Sequence, residues 1–396
     1  MKKILFISPM RLPIPAVKGG AVETIIDNII FMNEIEKRFD LTVISVFDLS
    51  LSSQKSKNKY TKFLYYKPNK VIFLFDKIIN YLIKDFNILN KLFILKYIKK
   101  ILLKNNFDFV IVENQGFLTY LYLNKNIKNK YKGKLIYHLH NDISIKCVKS
   151  FIENERKMLI SNYLKKNILK YYNCNDNSFL LLKNGIDTSN LNILNQKDRK
   201  KLRGCLNYKD DDIVLCFVGR IVKEKGIFEL IQSMQFLPSN VKLLIVGSVE
   251  FGKNATSSFA SSVLEMANND DRIQLTGYIN NKELWKYYQL SDLAVLPSIW
   301  QEPAGLTMLE ALFNGLYVIT TNSGGIPEYL DKKYCCLLNI DDNLPESISS
   351  SVLTAIKSGN YGKFDINKRN YIINNFSTKI YYDKFTEIIL GDGNAK

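Results

Sequence analysis

Two tandem series of strand-like and helix-like segments predict an α/β chain of two doubly wound, Rossmann-like domains. Three observations carry the prediction. The chain has 396 residues, too many for one ordinary domain. It contains short runs of Ile, Leu, Val and Phe, the pattern of strands buried on both faces. Stretches of helical period lie between those runs. Hydrophobic residues make up 46% and charged residues 23%, which excludes a disordered chain and a disulfide-stapled miniprotein.

The first series opens on Lys3-Ile-Leu-Phe-Ile-Ser8, followed by a Pro/Gly loop through Gly20 and a periodic helix from Ala21 to Lys37. Leu41–Phe47 reads as the next strand, and residues 71–104 as a basic amphipathic helix with apolar residues at three- and four-residue steps. Phe109–Val112, Leu135–Tyr137, Met158–Ser161 and Phe179–Leu182 read as further strands. Lys183-Asn-Gly-Ile-Asp187 is the natural hinge. The second series runs through strands Ile213–Val218, Val241–Val246, Ile273–Thr276, Leu293–Pro297 and Tyr317–Thr320. Helices are expected at 226–236, 258–268, 281–290, 304–313 and 344–357. The predicted domains are 1–183, with a C-terminal helix 377–396 packed back on it, and 184–376. Ligands of such sheets sit at the strand carboxyl ends, here in a cleft between the domains.

Charge is unevenly placed. The formal net charge is +17, yet residues 1–185 carry 32 Lys+Arg against 14 Asp+Glu, while residues 186–396 carry 23 against 24. Residues 55–104 hold 13 lysines against Asp76 and Asp85, interleaved with aromatic and aliphatic residues. A solvated face, an anionic membrane surface and nucleic acid are the partners such a run suits; the run contains no arginine and no nucleic-acid module accompanies it. No stretch approaches the roughly 20 apolar residues of a membrane span, and the opening apolar run is too short for a signal peptide, so a cytoplasmic protein is expected. The six cysteines lack any C-x-x-C pair and read as buried reduced thiols. With only His138 and His140 available, a Cys/His zinc site is not expected.

Glu302-Pro-Ala-Gly-Leu-Thr-Met-Leu-Glu310 is the most specific segment. Gly305 and Thr307 fall where a loop enters a helix, a start rich in unpaired N–H groups that favours an anion. Glu302 and Glu310 lie along one edge of it, where two carboxylates suit sugar and ribose hydroxyls. Val218-Gly-Arg-Ile-Val-Lys-Glu-Lys-Gly226 follows a strand; there Arg220 offers a bidentate fork and Lys225 a mobile charge, a pairing suited to a diphosphate. The Gly19-Gly20 pair lets the first domain's loop approach a ligand closely. Asp210-Asp-Asp212 mimics a metal-binding pair but sits in a charged linker, and no metal site is expected there.

These segments, with Asn184-Gly-Ile-Asp187, Thr276-Gly-Tyr-Ile279, Asp292-Leu-Ala-Val-Leu-Pro-Ser298 and Ser323-Gly-Gly-Ile-Pro-Glu328, resemble the retaining nucleotide-sugar glycosyltransferases of family 4, which have the GT-B fold. The resemblance spans nearly the whole chain. Leu12-Pro-Ile-Pro-Ala-Val-Lys-Gly-Gly20 and His138-Leu-His-Asn-Asp142 look most like the spore-coat and surface-polysaccharide branch. It implies that Arg220 and Lys225 hold the donor diphosphate, that Glu310 binds the ribose, and that Glu302 contacts the donor sugar with the amides of Gly305, Leu306 and Thr307. Gly277 and Tyr278 join the donor site, Gly19 and Gly20 place an N–H near the distal phosphate, and His140 approaches sugar or acceptor. The implied activity is transfer of a hexose-type sugar with retention, in capsule, lipopolysaccharide or related glycan assembly. The donor is a nucleoside-diphosphate sugar, UDP-linked first, and neither cofactor nor metal is required. A glycan or lipid-linked sugar is the acceptor, and contact with the anionic inner membrane is expected. Alternatives are a GT-B sugar-nucleotide epimerase and a non-enzymatic basic protein that binds membrane or nucleic acid. Residues 141–156, between His140 and the next strand, are fewer than the family usually has, so acceptor contacts do not transfer by analogy.

Overall fold

The computed structural model describes residues 1–53, 58–67, 88–114, 116–142, 151, 156–171, 178–248, 258–362 and 364–391. The chain divides into two compact units, one of residues 1–184 with the C-terminal segment from Tyr381, the other Gly185–Ile380. Each is a parallel sheet with helices, and each is described by itself.

Among the described residues the first unit holds seven strands: β1 (Lys2–Ile7), β2 (Phe39–Val46), β3 (Thr61–Tyr66), β4 (Phe109–Glu113), β5 (Leu135–Leu139), β6 (Arg156–Leu159) and β7 (Phe179–Leu181). Their order is β3-β2-β1-β4-β5-β6-β7, every pair parallel. Strand order therefore reverses between β1 and β4, which opens a crevice at their carboxyl ends. Both strands are buried along their apolar runs, as a sheet covered on both faces requires. Helix α1 (Ala21–Glu36) covers one face through Ile25, Ile26, Ile29 and Ile30. The basic helix expected over 71–104 is described from Ile88 to Lys104 (α2). It turns Ile94, Ile98 and Leu102 inward at four-residue steps. Residues 71–87 of that expectation lie outside the described residues. Two short helices, α3 (Lys125–Lys130) and α4 (Asn162–Tyr171), were not expected.

The second unit holds β8 (Ile213–Val218), β9 (Val241–Val246), β10 (Ile273–Gly277), β11 (Leu293–Leu296), β12 (Tyr317–Thr321) and β13 (Cys335–Leu338). Its order is β10-β9-β8-β11-β12-β13, all parallel, so the reversal falls between β8 and β11. Helices α5 (Gln196–Cys205), α6 (Ile227–Ser233), α7 (Ser258–Asn268), α8 (Leu284–Leu290), α9 (Leu306–Phe313), α10 (Leu344–Lys357) and α11 (Ile366–Phe376) complete it. Among the described cysteines Cys216 and Cys335 are buried thiols, Cys336 is half-buried, and Cys205, expected inside, is exposed.

Helix α12 (Thr378–Leu390) packs on the first unit's core. The Phe385 ring meets Phe6 at 5.6 Å and Phe39 at 6.1 Å, and the Tyr382 hydroxyl donates to Asn33 Oδ1 at 2.8 Å.

Candidate active site

The second unit's loops converge at the β8/β11 reversal. The chain leaves β8 through Gly219 and Arg220, makes a tight turn over Lys223–Lys225, and enters α6 at Gly226. The Glu224 carbonyl then accepts N–H bonds from Ile299 (3.0 Å) and Trp300 (3.1 Å), which locks this turn to the loop leaving β11. Gly226 makes the approach possible: its φ is +66°, and a Cβ would strike the Pro297 carbonyl. Lys225 Nζ forms an ion pair with Glu302 Oε1, and the Ser298 hydroxyl lies 3.0 Å from the same oxygen. Arg220 is exposed at the strand end.

Glu302 is also held from its backbone. Its carbonyl accepts from Gly325 N–H at 2.6 Å, and Gly324, at φ +56°, has no room for a side chain against that carbonyl. Helix α9 starts three residues later with Gly305 at its N-cap and no side-chain cap. No capping side chain therefore consumes the N–H groups of its first turn. About one turn into the helix, Glu310 is half-buried and accepts from the Tyr288 hydroxyl at 3.1 Å. Burial pushes its carboxyl up to about 7, against the pull of the Tyr288 bond. Gly277 (φ +71°) closes β10 by accepting from Gly247 N–H at 3.0 Å, and Tyr278 beyond it is exposed. Arg220, Lys225, Glu302, Gly305, Leu306, Thr307 and Glu310 therefore line loops at the β8/β11 reversal, with Gly277 and Tyr278 ending the sheet's edge strand.

In the first unit the β1 loop is pinned by Ile14 N–H to Ser45 Oγ (2.9 Å) and Ala16 N–H to Asp27 Oδ2 (2.6 Å). Gly19 and Gly20 take left-handed φ values of +72° and +102° at the start of α1. The Glu23 carboxylate of the first helical turn folds back against Gly20, and burial raises its pKa. It also accepts from its own and the Leu12 N–H. The helix start that the sequence offered to a phosphate thus already faces a carboxyl group. Across the β1/β4 reversal lie Glu113, His138 and His140, all buried. Glu113 Oε2 is 2.8 Å from His140 Nε2 and 3.1 Å from His138 Nδ1. Burial works against the Glu113 charge, yet the two imidazoles bring its carboxyl down to about 2. Burial, helped by His138, brings His140 down to about 4. The three ligand atoms lie within 4.8 Å of one another, a spacing that also fits a cation.

Sequence reading missed Glu23, Glu113, Ser298 and Tyr288. The available signals were the carboxylate three residues after Gly20 and the one closing β4 beside a His-x-His strand.

Residues 198–377 match the family profile described as glycosyl transferases group 1. The chain is 24% identical over 345 residues to spore coat protein SA of Bacillus subtilis, covering 83% of each chain. It is 26% identical over 240 residues to an uncharacterized glycosyltransferase of Methanocaldococcus jannaschii, spanning 60% of this chain and 58% of that relative. A capsular polysaccharide biosynthesis glycosyltransferase of Staphylococcus aureus is 34% identical over 173 residues, 42% of this chain and 43% of its own. The solved structure of an Anabaena protein in complex with UDP and glucose superposes with a TM-score of 0.72 at 16% identity, over 99% of this chain and all of the other. The match to the glycosyl transferases of group 1 lies in residues 198–377, and the chain's two doubly wound units have the GT-B fold.

Proposed function

We propose that the chain moves a hexose-type sugar from a nucleoside-diphosphate sugar to an acceptor hydroxyl with retention, in the assembly of a surface polysaccharide. The observation that carries the reading is the meeting, at one topological reversal, of an exposed Arg220, the Lys225–Glu302 pair and the uncapped start of α9. The UDP and glucose held by the Anabaena protein, and the capsular naming of the Staphylococcus relative, support it.

In this reading Arg220 and Lys225 hold the diphosphate, and the N–H groups of Gly305, Leu306 and Thr307 add partial positive charge. Glu302, fixed by Lys225 and Ser298, positions sugar hydroxyls; Glu310 accepts from the ribose, and Gly277 and Tyr278 border the nucleotide. Gly19 and Gly20 place an N–H near the distal phosphate, and His140 approaches the sugar or acceptor. The bond from anomeric carbon to phosphate oxygen breaks as the acceptor oxygen bonds on the same face, and the acceptor's proton passes to the leaving phosphate. Two protein cations and a helix start supply the charge stabilisation, so the proposed reaction needs no metal. The acceptor is a glycan or lipid-linked sugar at the cytoplasmic face of the membrane; no described helix is long and apolar enough to cross one.

A panel of UDP- and GDP-sugars tests the reading. The true donor at 100 times its dissociation constant stabilises the fold by about 2.7 kcal/mol and is consumed with release of the nucleoside diphosphate. Neither stabilisation nor consumption with any member overturns it.

A further inference from the structure

We propose that Glu113 is a positioning residue, holding His140 so that its Nδ1 accepts the hydrogen bond of the acceptor hydroxyl as it docks, before that proton turns to the leaving phosphate; this rests on the transferase reading above. Strand pairing brings the groups together. Glu113 on β4 stands directly opposite His138 on β5, and His140, two residues on, points to the same side of the strand. The ring centroids of the two histidines lie 4.0 Å apart, both against one carboxylate.

A carboxylate only accepts, so each nitrogen facing it carries a proton. His140 therefore donates through Nε2, at 2.8 Å, and His138 through Nδ1. With Nε2 protonated and the ring neutral, Nδ1 of His140 is a bare lone pair, and no described residue bonds it. The backbone is fixed from the same place: Asn114 Oδ1 accepts from His140 N–H (2.9 Å) and Asn141 N–H (3.1 Å). One dipeptide, Glu113-Asn114, thus sets both the ring and the main chain of His140. Glu113 and His138 are each 1% exposed, so water cannot take over either task. The other charges in reach are Glu23, which repels Glu113, and Arg11, which attracts Glu23. An imidazole held by a buried carboxylate is oriented and fixed in one tautomer, which leaves its opposite nitrogen ready to accept.

The chain has two histidines, so a protein with 15N-labelled histidine shows these rings alone. At pH 7 the expected spectrum has Nε2 protonated and Nδ1 bare on His140. Glu113→Ala is expected to lose that tautomer and to lower kcat for UDP release by about tenfold or more, with KM for the UDP-sugar unchanged, whereas Glu113→Gln, whose amide oxygen still accepts from Nε2–H, should keep the tautomer and lose less. The probes are UDP-glucose, UDP-galactose and UDP-N-acetylglucosamine. Adding Glu113→Ala to a His140→Ala background should cost nothing further, because the effect runs through that ring. Four results overturn the proposal: a proton on His140 Nδ1, full activity in His140→Ala, the same loss from Glu113→Ala in both backgrounds, or stoichiometric Zn2+ shifting both rings, which makes the cluster a metal site. Loss of activity in Arg220→Ala together with full activity in His140→Ala leaves the transferase reading standing and removes this proposal alone. Failure of the wild type on all three probes, with no stabilisation by any sugar nucleotide, removes both.

Discussion

Burial pushes the Glu310 carboxyl up to about 7, so the group proposed to bind ribose titrates in the working range. Ribose hydroxyls donate, and the ionised form accepts them best, so donor affinity should fall as pH drops below 7, by up to about tenfold per unit. UDP-glucose is the probe of choice because its phosphates do not titrate there. Calorimetry between pH 5.5 and 8 reads the effect, and Glu310→Gln should flatten it. Tyr288→Phe removes a bond that lowers this carboxyl and should move the break to higher pH. Stability runs the other way: the folded state holds this proton more tightly than the unfolded chain, so its contribution declines as pH rises from 4.5 towards 7. Glu302 plays a different part, because sugar positioning changes during transfer whereas ribose contacts persist. Glu302→Gln should therefore depress kcat more, and Glu310→Gln mainly raise KM; equal losses in both parameters for both variants contradict the roles. Arg220→Ala should lower kcat/KM by at least about tenfold, and unchanged kinetics sink the diphosphate assignment.

At the scale of elements, legibility followed apolar pattern. Strands β8 and β9 and helices α7 and α10 stand where the sequence places them, because unbroken apolar runs or clear periodicity are bounded by turn residues. Thr61–Tyr66 was missed: β3 is the edge of its sheet, set among lysines, and only partly buried. Strand β13 at Cys335–Leu338 was also missed, its cysteines having been read only as buried thiols. Helix α5 has almost no apolar stripe and is held instead by charge. Arg199 and Arg203 reach Asp292 at 2.6 and 3.0 Å, and Asp292 also accepts from Val214 N–H at 2.7 Å. No local pattern announces a bond across about ninety residues. The donor-side motifs were legible for the opposite reason: glycines and charges at strand ends mark loops that close approach and ligand charge both require. Glu113 and Tyr288 were not, since their meaning lies in partners on other elements. Asp292→Ala leaves two arginines facing a buried gap and should cost about 3–5 kcal/mol in urea unfolding. Phe385→Ala, in the wholly buried ring contact of α12 with Phe6 and Phe39, should cost a similar amount, about 3–5 kcal/mol.

For the molecule as a whole the telling feature is the charge partition, since a uniformly basic composition would colour both halves alike. Within the lysine-rich stretch 55–104, helix α2 buries Ile94, Ile98 and Leu102 and leaves Leu92, Phe93 and Leu103 exposed beside Lys96, Lys99, Lys100 and Lys104. Much of the aliphatic content thus packs inside, and a smaller apolar set remains outside among the cations. That face suits an anionic lipid surface, where each lysine contributes roughly 1 kcal/mol and exposed Leu and Phe add shallow insertion. Docking there would present the acceptor-side groups to a lipid-linked sugar. Co-sedimentation with vesicles of phosphatidylglycerol and phosphatidylcholine measures it. Binding is expected at low salt and to weaken as salt screens the lysines, leaving a residue bound through insertion. Phe93→Ala should remove much of the salt-resistant part, and Lys96→Glu with Lys100→Glu the salt-sensitive part. Binding that vanishes at high salt means charge attraction alone; no binding to these vesicles at low salt refutes membrane docking and favours a soluble acceptor.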